Sequence, residues 1–491
     1  MTRERTYAAE VEKPISNAIT GESHSVSQDF FENLATQARN RGEQPNFHDS
    51  NVEEGVHLGV QTKTFGEQGL DNGFNNQETA LPYTTNLNKL ADTMHADVQS
   101  IQEALEPENG TAINMSNHPL GNTDRETYNK CVAPKGVYPY LWHRGWDHSA
   151  GIDAKAQLGP TTGVSPEEAA DAFSVIVGTG AAFVGITANS PFAEGKASGY
   201  KESRLTMWDR MMKHSTVPGD RRTARFPEKR IWTMADYFNW MHGEDTGIHF
   251  ISDKDYKTGG IITIDGNPPV LDYLKRKKWQ GREFGTDNTV QVTPQMSHMS
   301  AMQFSQFAGA RIRYGLQKEA PVDKFLAAME NNRVEEYFRQ HSEFVYIEGR
   351  DPGTNMPDKH LNKKGGTFAR SVMMTSSAMQ AGLINNLPEA TALINRYDWQ
   401  TLRLLRDAAI KDGLQGEIDG LTVKQFAGEV LEVAEQGLGD DEKWMLSYAN
   451  HVVETGKNGA DRAIEQVGDN QTRASIASMV VSRNVIVPPR K

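Results

Sequence analysis

Cysteine is nearly absent: Cys131 is the one thiol in 491 residues. No intramolecular disulfide can form, and a structural zinc–thiolate site is excluded with it. Long apolar runs are missing too; no stretch approaches the roughly 20 residues that span a bilayer. The opening Met1-Thr-Arg-Glu-Arg-Thr6 leads into polar sequence with no apolar core. No signal peptide is legible there, a cytoplasmic location is expected, and the glycosylation-type triplets at Asn109, Asn114 and Asn470 are chance matches. Positive charge is in deficit, with 52 Lys and Arg against 64 Asp and Glu and a net charge of −12. That argues against a nucleic-acid or membrane partner, although a local group of Arg and Lys can still hold a phosphate. Neither a Gly-x-Ser-x-Gly elbow nor a Walker-type loop occurs, which leaves simple hydrolase and P-loop readings without support.

What is present suits a folded protein: 37% hydrophobic and 24% charged residues, ordinary for a soluble chain. The length allows two to three domains or one large unit. Residues 1–25 are polar and aperiodic and read as a mobile arm. Phe30, Phe31, Leu34 and Ala38 fall on one helical face, and Leu87, Leu90, Met94, Val98 and Ile101 on another. Residues 46–76 look like short strands joined by tight turns, while 111–115 and 152–158 alternate as half-buried strands do. Ser165-Pro-Glu-Glu168 has the form of a capping box opening a helix that is apolar nearly all round. That helix stops at Asn189-Ser-Pro191. A hairpin-like segment spans 259–266, and from 366 to 466 apolar stripes predict helices.

The densest information lies at Ala188-Asn-Ser-Pro-Phe-Ala-Glu-Gly-Lys-Ala-Ser-Gly-Tyr200, followed by Ser203, Arg204 and Trp208. A helix stop, two glycines that admit close backbone approach and a fixed Glu/Lys/Arg set fall within 21 residues. An isolated Asn-Ser-Pro would be an ordinary connection between helices; the whole spaced pattern is not. It resembles the Ala-Asn-Ser-Pro-Phe-x-Glu-Gly-Lys-x-x-Gly signature of glutamate–cysteine ligases of the plant and proteobacterial type (family 2). Pro134-Lys-Gly-x-Tyr138 resembles a second motif of that family, and Tyr346-Ile-Glu-Gly-Arg350 its Tyr-Leu-Glu-Met-Arg strand. The similarity covers most of 46–210 and 340–465, leaving 211–340 as an enlarged variable region.

The resemblance implies an α+β fold like glutamine synthetase, an antiparallel sheet funnel with helices around it, formed by residues 26–491 as one catalytic unit. It also implies an ATP-dependent carboxylate–amine ligase that joins the γ-carboxylate of L-glutamate to an amine, by default L-cysteine, through γ-glutamyl phosphate. Alternatives are a γ-glutamyl ligase for another amine of specialised metabolism and a catalytically silent metabolite-binding relative. ATP and Mg2+ are the implied cofactors, the partners are small-molecule substrates, and the oligomeric state is left open, a homo-oligomer included. Such chemistry needs acidic side chains for magnesium and Arg or Lys on the transferring phosphoryl group. On this chain Lys196, Arg204 and Arg350 are the candidates for the cationic role. Gln157, Asn189, Ser190, Glu194 and Tyr346 are candidates for substrate contact.

At the acids the chain departs from the family. The family's Gly-x-Glu-x-Glu strand is matched by Val52-Glu-Glu-Gly55, where adjacent Glu53 and Glu54 would point to opposite faces of a regular strand. Its second acidic segment is matched by residues 70–79, with Asp71 in place of a glutamate and register deciding between Gln77 and Glu78. Glu53, Glu54, Asp71 and Glu78 are therefore the expected magnesium ligands. Around Gln157 the family's Thr, Cys and Asn are missing. Gly178-Thr-Gly180 reads as helix packing, His143 and His148 as loop or pocket residues, and Lys275–Lys278 as a solvated face. The methionines of 296–302 read as core or a partner contact.

Overall fold

The computed structural model describes residues 5–252 and 260–488. Its strands, in chain order, are β1 (Tyr7–Asn17), β2 (Asn46–Asp49), β3 (His57–Thr62), β4 (Gly66–Leu70), β5 (Asn76–Ala80), β6 (Gly110–Ala112) and β7 (Leu158–Gly163). Then follow β8 (Phe192–Ala193), β9 (Lys196–Ala197), β10 (Ile262–Ile264), β11 (Trp279–Glu283), β12 (Thr289–Val292), β13 (Ala310–Leu316) and β14 (Ser342–Gly349). The main sheet runs β13-β14-β7-β1-β5-β4-β3-β2, with β6 pairing β1 off that path. Its pairings are antiparallel, so this is the expected α+β architecture.

Strand β1 corrects the expected mobile arm: from Tyr7 onward the segment is a central strand, hydrogen-bonded to β5 and β7. Side chains alternate along it, so Tyr7, Ala9, Val11, Lys13 and Ile15 share one buried face while Glu10 and Glu12 share the other. Charges at 10, 12 and 13 hid the alternation from an apolar count. The strand expected over 152–158 begins only at Leu158, because residues 152–154 turn. The hairpin expected over 259–266 is instead β10 paired to β11, and Gly259 lies outside the described residues.

The helix Leu87–Leu105 forms as its apolar spacing predicts; the Asn86 side chain caps it by accepting from the Lys89 N–H at 2.9 Å. It lies behind β1, β4 and β5. The long helix Gly366–Asn385 is buried through most of its length and covers β7. Its Gln380 amide donates to the carbonyls of Pro160 (3.0 Å) and Ile347 (3.1 Å), tying β7 to β14. The capping box at Ser165–Glu168 makes both reciprocal bonds, at 3.3 and 2.9 Å. The apolar helix beyond it bends by 48° between Ala169–Gly178 and Gly180–Thr187. Both halves are buried, and the two glycines are packing residues: a Cβ at Gly180 would come within 2.4 Å of the Asp351 carboxylate. Among the described residues no single helix is long and apolar enough to cross a membrane. Met296, Met299 and Met302 are core.

Three buried histidines give the fold a pH dependence. Burial pushes the imidazoles of His118, His242 and His249 down to about 3. The folded protein therefore holds them neutral where the unfolded chain, with pKa near 6.5, binds protons. Their contribution is complete above pH 6.5 and is lost as pH falls from there toward 3, at about 1.4 kcal/mol per histidine per pH unit. Urea unfolding between pH 7 and 5.5 is expected to show this loss. The variant His242→Gln should lose about 1.4 kcal/mol less over that interval; an unchanged pH response would refute the assignment.

Candidate active site

Five neighbouring strands bring their polar side chains to one face of the sheet. Glu10 and Glu12 come from β1, Glu78 from β5, Gln157 from the entry to β7, Arg350 from the end of β14, and Arg311 and Arg313 from β13; Asp71 follows β4. Together they line a cavity of about 250 Å³. Register explains the set. Glu12 stands directly opposite Glu78 across the β1–β5 pair, a spacing at which side chains interact. Lys13 stands opposite Gln77, one residue out of phase and on the other face.

The far wall of the cavity comes from three loops and short helices. Lys135, Tyr138, Leu141, Trp146 and His148 supply one side, Arg204, Met207, Trp208 and Met211 a second, and Phe304 and Phe307 a third. The Pro134–Tyr138 motif earns its spacing here. The Lys135 ammonium donates to the carbonyls of Leu70 (2.7 Å) and Asp71, and the Tyr138 hydroxyl donates to the same Asp71 carbonyl at 3.1 Å. Trp208 stacks on Phe307 with ring centroids 4.3 Å apart. One end of the cavity is thus ionic and the other aromatic.

Charge at the ionic end is uneven. Burial raises the Glu12 carboxyl well above its ordinary range, and Asp71 and Glu78 push it further, against the pull of Arg350. Burial also raises Glu10, helped by Glu348. Glu348, on β14 beside them, is the opposite case. Burial works against its ionisation, but Arg311, Arg313 and Arg350 outweigh that and hold it at about 2. Its carboxylate sits 2.6 Å from Arg311 and 2.8 Å from Arg350. Several buried polar atoms on the cavity residues have no hydrogen-bond partner among the described residues: both side-chain amide atoms of Gln157, Asn72 Oδ1, His148 Nε2 and the Nε atoms of Arg311 and Arg350. Unpartnered buried groups are costly, and a polar ligand would satisfy them. Burial lowers His148 to about 4, so its imidazole is neutral near pH 7.

For a divalent cation the donor set is right in kind, since buried carboxylate oxygens are what magnesium takes. Among the described residues, however, no three His, Cys, Asp or Glu side chains stand close enough to form a ready metal group. The acids share a wall rather than a closed cage. Their mutual repulsion at Glu12 is the observation that favours a cation, because positive charge would relieve it.

The structure brings Asp71, Glu78, Gln157, Arg204 and Arg350 to the cavity. Between Gln77 and Glu78, it is Glu78 that faces inward. Glu53 and Glu54 lie in the exposed turn between β2 and β3, at the far edge of the sheet, and do not line the cavity. The alternating acid pair is Glu10-Val11-Glu12, and that Glu-x-Glu spacing was the signal to read. Lys196 is exposed on the β8–β9 hairpin, 3.8 Å from Glu194. Glu194 accepts from Thr123, 2.7 Å from its hydroxyl, and stays outside the cavity. Tyr346 is half-buried beside Arg313 without lining the cavity. Arg311, Arg313 and the Phe304–Phe307 pair were missed because the middle region carries no resemblance that would have marked them; Glu348 lies inside the Tyr346–Arg350 motif and was passed over.

Asn189 and Ser190 hold the site rather than line it. The Asn189 amide donates to Asn114 and Thr354, and its oxygen accepts from the buried Arg483 at 2.7 Å. The Ser190 hydroxyl accepts from the Arg204 N–H at 3.1 Å. Arg204 then donates through Nε to Glu202 (2.9 Å) and through a terminal nitrogen to the Asp351 carbonyl (2.7 Å). Residues 189–204 therefore form a frame that fixes one guanidinium at the cavity wall.

Comparison with known proteins agrees with this picture. The family model of glutamate-cysteine ligase family 2 matches residues 150–242, a stretch that holds Gln157, the signature and Arg204. The glutamate–cysteine ligase of Francisella tularensis, solved in complex with AMP, superposes with a TM-score of 0.53 at 11% identity, covering 99% of this chain and 90% of that one. A bifunctional glutathione synthetase from Pasteurella multocida aligns with a TM-score of 0.42 at 13% identity, over 97% of this chain and 51% of that one. No curated protein sequence matches the chain. The sequence likeness is to that ligase family over the matched residues, and the structural likeness is one of fold.

The acid wall has a counterweight behind the sheet. The buried Lys13 ammonium lies 3.2 Å from the buried Asp97 and donates to Gln77 at 2.6 Å. Lys13→Met would strand the Asp97 charge, and removing one partner of a buried pair typically costs about 3–5 kcal/mol. Urea denaturation at pH 7 is expected to show a loss of that size; a change below about 1 kcal/mol would show the pair to be incidental.

Proposed function

We propose that the protein is an ATP-dependent carboxylate–amine ligase that joins the γ-carboxylate of L-glutamate to an amine, with L-cysteine as the default acceptor. The observation that carries this reading is the convergence of Glu10, Glu12, Asp71 and Glu78 on one cavity with Arg204, Arg311, Arg313 and Arg350. A carboxylate attacked by an amine needs its oxygen made into a leaving group, and ATP would supply the phosphoryl group for γ-glutamyl phosphate. The four acids would hold Mg2+, whose charge offsets that of a triphosphate.

The chain's own residues account for the remaining requirements. Arg204 and Arg350 stand at the cavity wall and are held there, Arg204 by Glu202 and Arg350 by Glu348. Preorganised cations of this kind stabilise charge that develops during phosphoryl transfer. Both amide atoms of Gln157 are free to orient a substrate that carries donors and acceptors. Neutral His148 can accept a hydrogen bond from an incoming amine. The aromatic end, with Trp146, Trp208, Phe304 and Phe307, would keep water from an activated acyl group. An inward-facing Gln77 would favour the catalytically silent alternative; its amide oxygen accepts from Lys13 behind the sheet, which supports the ligase reading.

The test is ADP release with Mg2+ and L-glutamate as amines are added one at a time. Amine-dependent turnover is expected, falling by roughly 10²–10³-fold in Glu78→Gln and in Arg350→Lys. Turnover with another amine but not cysteine would keep the ligase and change the acceptor. No turnover by a folded protein with any amine would defeat the reading.

A further inference from the structure

The segment that carries Arg204 has two sides. Arg204, Met207 and Met211 face the cavity described above, whereas Leu205, Thr206 and Asp209 line a separate cleft; Trp208 borders both. The cleft encloses about 1140 Å³. Its other walls are residues 218–232 of the enlarged middle region and the helix Trp399–Asp412.

The charge in this cleft runs against that of the chain. Six arginines and Lys229 line it, against the carboxylates of Asp209, Glu228, Asp236 and Asp407. Three of the arginines are committed internally: Arg406 to Asp351 at 2.5 Å, Arg230 to Asp171 at 3.1 Å and Arg225 to Asp209 at 3.4 Å. Arg221, Arg222 and Arg403 make no ion pair among the described residues. Arg221 and Arg222 donate only to backbone carbonyls, those of Met212 (3.2 Å), Lys213 and Glu244 (3.0 Å). Arg222 and Arg403 each bury an Nε atom with no partner among the described residues, and so does Arg230, whose side chain is more than nine-tenths buried.

The cleft also offers ring surface. Trp232 is 62% exposed, with the Arg230 guanidinium 4.0 Å from its ring centre on one face, and Tyr200 is 41% exposed. Guanidinium groups from two elements suit a ligand with more than one phosphate. Exposed aromatic faces beside them suit a planar ring. We infer that this cleft is a binding site for a nucleotide-class ligand, a ring compound bearing two or more phosphates, separate from the acid-lined cavity. The inference does not rest on the ligase reading.

The experiment is ADP titration by calorimetry in EDTA, which removes the divalent cation that the ligase reading requires at the acid-lined cavity. The wild-type chain is expected to bind ADP more tightly than either pyrophosphate or adenosine. Arg221→Glu combined with Arg403→Glu should weaken ADP at least about tenfold with an unchanged melting curve. Trp232→Ala should weaken ADP but leave pyrophosphate alone. Should the double variant unfold, Arg221→Gln, at an exposed side chain, tests the same direction. No ADP binding by the wild type, or wild-type affinity in a folded cleft variant, would overturn the site. Equal affinity for pyrophosphate and ADP would overturn the nucleotide class. Because the readout is binding without divalent cation or amine, its failure is distinguishable from a failure of ligase turnover.

Discussion

Strand β1 carries charge on both of its faces, and much of the structure can be understood as the accommodation of that fact. Toward the cavity it presents Glu10 and Glu12; away from it, Lys13. None of these would be stable buried alone. Lys13 is answered by Asp97, with Gln68, Gln77 and Thr79 completing the hydrogen bonds around the pair. On the cavity side the arginines of β13 and β14 answer Glu348 and Glu10, whereas at Glu12 burial and the repulsion of Asp71 and Glu78 outweigh the pull of Arg350. The mutual repulsion of Glu12, Asp71 and Glu78 is therefore local and faces the cavity, where a bound cation would relieve it.

The signature at 188–200 illustrates how a motif can matter without lining the cavity. Its most restrictive residue, Asn189, is fully buried and bonds to three other parts of the chain, including Arg483 near the far end of the described residues. Glu194 and Gly195 adopt left-handed φ values of 53° and 75° to close the β8–β9 hairpin. That geometry explains a glycine at 195 on backbone grounds alone. The product of all this constraint is the placement of Arg204.

Legibility in the sequence followed the physics of each segment. The helices at 28–40 and 87–105, and those after 366, were readable because one face is apolar at helical spacing. Arg204, Arg350, Gln157, Asp71 and Glu78 were readable because motif resemblance reached them. The acid pair on β1 was not, since a strand whose two faces both carry charge shows no apolar alternation. Glu53 and Glu54 took its place in the reading because Val52-Glu-Glu-Gly55 was matched to the family's Gly-x-Glu-x-Glu strand, and an exposed turn produces adjacent acids beside a glycine equally well. Arg311 and Arg313 show the correct alternation for one face of a strand, yet only their pairing with Glu348 and Tyr346 across β14 gives them meaning.

Asp351 shows why the two basic surfaces cannot be treated as unrelated. Its carbonyl accepts from Arg204 on the cavity side, while its carboxylate accepts from Arg406 on the cleft side, at 2.9 Å from Nε. It fits there only because residues 180 and 309 lack a Cβ, which at either position would press within 2.5 Å of the carboxylate. Gly180 of the buried helix pair thus makes room for an aspartate that joins the end of β14 to the outer helix, while Gly178 packs on Ile394 and Trp399. A guanidinium in the cavity and another in the cleft share one anchor, so the geometry of each constrains the other through two bonds of a single residue.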